Sequence, residues 1–71
     1  MDVRTEIFCQ RLKDRRKRKE LTQTELGKLV FSCHSTVSEW EQGKSLPKLD
    51  TINRLCDVLG VSADWLLGRR L

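Results

Sequence analysis

Between positions 34 and 42 the chain sets His34, Ser35, Ser38, Glu39 and Gln42 one, three, one and three residues apart. On an α-helix that spacing gathers all five on one side and leaves Val37 and Trp40 on the other. Small or hydrogen-bonding side chains at the start of a helix suit the edges of nucleic-acid bases, and the first-turn N–H groups suit a phosphate. A helix that was merely solvated in so charged a chain would carry Lys, Arg and Glu pairs there instead. No other chemistry is spelled out. His34 is the sole histidine, and neither paired carboxylates nor a nucleophile beside a base occur, so no catalytic residues and no enzyme activity are expected. Cys9, Cys33 and Cys56 are odd in number and show no Cys-x-x-Cys spacing, which argues against a disulfide framework and against a zinc site. They read as reduced thiols of a cytoplasmic protein, with Cys56 filling the core. Neither a cofactor nor a small-molecule ligand is evident.

The elements that must position this face are short helices. Phe8 and Leu12 lie four apart behind Thr5, a candidate N-cap, and predict a first helix over 5–19. Thr22 and Glu25 form a capping box, and Leu26, Leu29 and Val30 a stripe behind it, for a second helix over 23–30. A third begins at 33–35 and stops at Gly43. Pro47 bars helix across Ser45 and Leu46. Leu49, Ile52, Leu55, Cys56 and Leu59 then repeat at 3.6 residues up to Gly60. Ser62 caps a last helix over 63–67. No run alternates as a strand would. The expected fold is all-α, with five helices, and a helix–break–helix unit over about 22–41 is the plan of a helix-turn-helix. Taken alone, that spacing also fits a hairpin that only builds core.

Seventy-one residues allow one domain, 1–71, and no more. Fourteen Lys and Arg against ten Asp and Glu leave a net charge of +4, which favours acidic partners. The charge is uneven: eight bases against four acids in residues 1–20, one against three in 21–43, and five against three in 44–71. No stretch approaches a membrane span or a signal peptide.

Residues 21–66 carry a resemblance specific enough to decide between these readings. Leu21-Thr22-Gln23 with Glu25-Leu26, Ser35-Thr36-Val37-Ser38 and Trp40-Glu41-x-Gly43-Lys44 come in that order. Pro47-x-Leu49, Leu55 and Leu59-Gly60-Val61-Ser62 follow, leading into Asp64-Trp65-Leu66-Leu67. The segment resembles the helix-turn-helix domain of phage repressors, Cro proteins and their bacterial relatives, the XRE type. That resemblance implies a compact lambda-repressor-like domain whose third helix enters the major groove of double-stranded DNA. By position, His34, Ser35 and Glu39 would read bases, while Thr36 and Ser38 would flank the reading helix. Gln23, Lys44 and Ser45 would meet phosphates, as would Arg15 or Lys19 from the basic end of the first helix. Arg16 and Glu41 match an arginine–glutamate pair that docks the first helix on the third. The implied protein is a sequence-specific transcriptional regulator, a repressor acting by occupancy, bound as a homodimer to a pseudo-palindromic operator. Val61, Ala63, Leu66 and Leu67 are the candidate dimer surface, with Trp65 the residue more expected in the core. An antitoxin or other protein-interaction module on the same fold is the alternative.

Five positions depart from the family pattern. Gly27 stands where alanine is usual, at a point where two helices meet. Phe31 falls where the turn often has glycine, and Ser32 where an apolar residue usually points inward, so Phe31 is expected to cover the core that Ser32 leaves open. Arg15 replaces a commonly apolar residue, and Leu46 a commonly polar one in a loop, which makes Leu46 an exposed contact.

Overall fold

A computed structural model describes residues 3–69. Its helices are α1 (Val3–Arg18), α2 (Gln23–Leu29), α3 (His34–Gln42), α4 (Leu49–Leu59) and α5 (Ala63–Leu66), with no strand among the described residues. The local signals explain most of these bounds. The Thr22 hydroxyl accepts from the Glu25 N–H at 3.0 Å, and the Glu25 carboxylate accepts from the Thr22 N–H at 2.8 Å, so two first-turn donors are satisfied at once. Gly43 ends α3 in the left-handed region at φ 76°, a conformation glycine adopts without steric cost. The Ser62 hydroxyl accepts from the Trp65 N–H at 3.1 Å and starts α5. Helix α1 is already under way at Val3, so Thr5 lies inside the helix and is not its N-cap.

Every helix contributes to one core. Phe8 and Leu12 of α1, Leu26 of α2 with Val30 just after it, Val37 and Trp40 of α3, Leu55 and Leu59 of α4, and Leu66 of α5 are all buried. Burying each of the larger ones contributes about 1.5–3 kcal/mol. α2 and α3 pack most extensively on each other, and α1 crosses behind them against α3 and α5. The buried cysteine is Cys9, whose Sγ donates to the Trp40 carbonyl at 3.2 Å; burial pushes its pKa up. Cys56 is only half-buried against the core, and there too burial, then Asp57, raises the pKa.

Several expectations from periodicity fail at helix ends. Leu29, the last residue of α2, and Leu49, the first of α4, both face solvent, because the stripe has turned away from the core by the terminal position. In α5 the two candidates exchange places: Leu66 is fully buried and Trp65 is 37% exposed. Phe31 does not cover the core. Its backbone is left-handed, at φ 59°, to let the Ser32 N–H return to the Gly27 carbonyl at 2.7 Å. Its side chain is 77% exposed, under the Arg54 guanidinium at 4.5 Å. A bulky residue held in that region costs about 1–2 kcal/mol.

Candidate nucleic-acid interface

The face of α3 owes its position to three neighbours. From behind, Val37 and Trp40 anchor it in the core. From α2, the approach is so close that a Cβ on Gly27 would lie 2.8 Å from the Ser32 carbonyl oxygen, a backbone atom that cannot simply rotate away. From α1, Arg16 Nε meets Glu41 Oε2 at 2.6 Å, and a second guanidinium nitrogen donates to Oε1 at 3.1 Å. The same guanidinium donates to the Leu21 carbonyl at 2.8 Å, so it ties α1 to α3 and to the entry of α2. The side chains of this pair are 11% and 4% exposed. Two parallel hydrogen bonds in a buried site fix orientation as well as distance.

Gln23, proposed from the family pattern as a phosphate contact, donates from Nε2 to Glu41 Oε1 at 3.2 Å. It stands at the first position of α2 and is tied to the end of α3 through the carboxylate that holds Arg16. The amide keeps a second N–H, so the tie aims a donor without using it up. His34, Ser35 and Glu39 lie together on the exposed side of α3. Among the described residues their side chains make no hydrogen bond within the fold. Ser38 is half-buried and accepts from Gln42 Nε2 at 2.7 Å, and Thr36 is half-buried with its hydroxyl 3.3 Å from Cys33 Sγ. Lys44 is exposed just past Gly43, with Ser45 half-buried beside it, and the Lys44 N–H returns to the Glu39 carbonyl at 3.0 Å.

Part of the acidity of the middle of the chain is internal. Glu41 is answered by Arg16, and Glu25 accepts the Thr22 N–H, which with the Thr22 hydroxyl holds its pKa below the usual value. Glu39 is then the remaining carboxylate on the exposed side of α3. Cys33, the first residue of the helix start read at 33–35, is the exposed N-cap of α3. The Thr36 hydroxyl, followed by its N–H, lowers the Cys33 pKa. The signal was its place immediately before His34, where an N-cap must stand.

Other residues fall elsewhere. Arg15 donates to the Leu59 carbonyl at 3.3 Å and lies over the Trp65 ring, with its Nε buried and unpartnered among the described atoms. Lys19 reaches the neighbourhood of Gly60. Both therefore stand by the C-terminal end of α4. The structure does not bring them to α3. Leu66 is removed from the candidate dimer surface by its burial, while Val61, Ala63 and Leu67 are half-buried around the exposed Trp65. Arg11 completes this corner, with its guanidinium 4.6 Å from the Trp65 centroid and donating to the Trp65 carbonyl. The described residues hold no cluster suited to a metal ion, and no described helix is long and apolar enough to cross a membrane.

A helix-turn-helix family model matches residues 12–66. Repressor protein C2 of Salmonella phage P22 is 31% identical over 65 residues, which is 92% of this chain and 30% of that protein. The HTH-type transcriptional regulator DicA of Escherichia coli (strain K12) is 34% identical over 67 residues, 94% of this chain and 50% of the relative. The chain thus spans half or less of these relatives. The crystal structure of the P22 c2 repressor with synthetic operator 9T matches with a TM-score of 0.82 and 32% identity, covering 84% of this chain and 91% of that one. The crystal structure of FeII HppE in complex with substrate matches at 0.80 and 31%, covering 89% of this chain but 37% of that one.

Proposed function

The chain belongs to the helix-turn-helix family, and from that premise we propose that it is a sequence-specific transcriptional regulator of double-stranded DNA, a repressor of phage or bacterial type. The observation that carries this reading is the α3 face: side chains without internal partners, on a helix clamped by Arg16, Glu41 and the close Gly27 contact. In this reading α3 enters the major groove with His34 and Ser35 leading, while the start of α2 and the Lys44–Ser45 loop rest on phosphates. Glu39 accepts from a cytosine amino group and turns other bases away by repulsion. One short helix specifies few base pairs, so a two-fold dimer reads half-sites about one helical turn apart. Its contact is Trp65 with Val61, Ala63 and Leu67, without Leu66. Repression follows from occupancy, in the cytoplasm, with no catalytic step.

Selection of bound sites from random duplex DNA tests the assignment. Ser35→Ala is expected to change base preference at one half-site position, whereas Lys44→Ala weakens all sequences alike and lowers the salt slope by about 1. The second reading, a protein-interaction module of antitoxin type, draws on the strained and exposed Phe31 beside the turn. No detectable binding to duplex DNA at low salt would select that reading instead.

A further inference from the structure

On the side of α1 formed by its first turns lies an open cavity of about 310 Å³. Phe8, Pro47, Ile52 and Leu67 wall it, drawn from α1, the loop before α4, α4 itself and the turn after α5. Leu46 stands at its edge, 61% exposed, an apolar side chain left in water by the fold. Arg4 and Arg69 also line it, and among the described residues no acidic side chain does. Neither guanidinium is paired with a described carboxylate. None of these residues belongs to the α3 face.

This combination selects an occupant. An apolar body gains by covering the walls, but would gain nothing from two arginines. An inorganic anion gains from the arginines, but nothing from the walls. A molecule that joins the two satisfies both, and a guanidinium matches the planar geometry of a carboxylate with two parallel hydrogen bonds. The volume lies at the small end of ligand sites, which run from about 300 Å³ upward. We propose that this cavity binds a small apolar carboxylate, its chain on Phe8, Pro47, Ile52 and Leu67 and its charge answered by Arg4 and Arg69.

The probe is octanoate, titrated into the protein without DNA while the backbone amide shifts of Phe8, Leu46, Ile52 and Leu67 are followed by NMR. Saturable shifts centred on those residues are expected. Octanamide, which keeps the chain and loses the charge, binds about tenfold more weakly, and acetate, which loses the chain, also falls short. Arg4→Gln with Arg69→Gln brings octanoate down to the level of octanamide, and the fold is preserved because both side chains are on the rim. No saturable response at millimolar octanoate, or an equal response to octanamide, overturns the proposal. So do shifts centred on Trp65 instead. Because DNA is absent, failure of the operator reading leaves this result unaffected, and the reverse also holds.

Discussion

Helix α1 grips the rest of the molecule with arginines on two sides, and the two grips differ in kind. Towards α3, Arg16 is buried and makes two bonds to Glu41 and one to the Leu21 carbonyl, with Gln23 sharing the same carboxylate. Towards α5, Arg11 lies over the half-open face of Trp65, with Arg15 further off at 5.9 Å and reaching the last carbonyl of α4. A buried pair gives back in attraction roughly what its desolvation removes, so its net stabilisation is small, but it is intolerant of losing either partner. A guanidinium over an exposed ring is worth about 0.5–1 kcal/mol and tolerates small shifts. The first arrangement sets the angle of a helix. The second holds a surface that can adjust to what meets it.

Removing one member of the buried pair is the strongest way to break this contrast. Arg16→Met leaves the Glu41 carboxylate buried without its cation and is expected to lose about 3–5 kcal/mol in urea unfolding. Adding Glu41→Leu should recover most of that loss, because the double variant buries no charge. Next, Gly27→Ala tests whether the α2–α3 approach is as rigid as the ion pair. A better helix former would gain about 1 kcal/mol in isolation, yet the contact with the Ser32 carbonyl is expected to outweigh it by about 1–2 kcal/mol, read as a fall in Tm. On the adjustable side, Arg11→Gln should lower stability by no more than about 1 kcal/mol while shifting the emission of Trp65. A loss as large as that of Arg16→Met would erase the distinction. The smallest effect is electrostatic. Glu25 has a native pKa below its unfolded value, so its contribution is full above the unfolded pKa and is lost as pH falls through the native one. Glu25→Gln should flatten that part of the acid limb of stability against pH by slightly lowering the neutral range, leaving stability below the native pKa nearly unchanged.

The sequence was most legible where the physics is local. Thr22 with Glu25, Gly43, and Ser62 each act within four residues, and the structure places all three caps as their types require. Helix existence and order follow from the same signals. What failed was orientation at helix ends. A helix of four residues has too little period to say whether Trp65 or Leu66 faces inward, and the decision is made by α1, more than fifty residues away in sequence, where Arg11 captures the Trp65 carbonyl. Arg15 is a similar case. Its charge gave no hint of the partner it meets within the fold, a carbonyl at the end of α4. Phe31 was misread because a turn that needs a left-handed residue overrides the preference of an aromatic ring for the core. The cavity at Arg4 and Arg69 gave no signal at all, since its walls come from four separate parts of the chain. For the interface, the family pattern brought His34, Ser35, Glu39, Gln23 and Lys44 to notice, and the tie between Gln23 and Glu41 emerged only in three dimensions.

The bare side chains of His34, Ser35 and Glu39 have a consequence for heredity. Among the described residues they support no other part of the fold, so a codon change at any of them alters what α3 presents without disturbing the frame beneath it. A change at Arg16 or Glu41 alone leaves the other buried without its partner. On the proposed reading, a lineage carrying this domain can therefore change its recognition target one residue at a time, while the pair that aims the helix resists single changes.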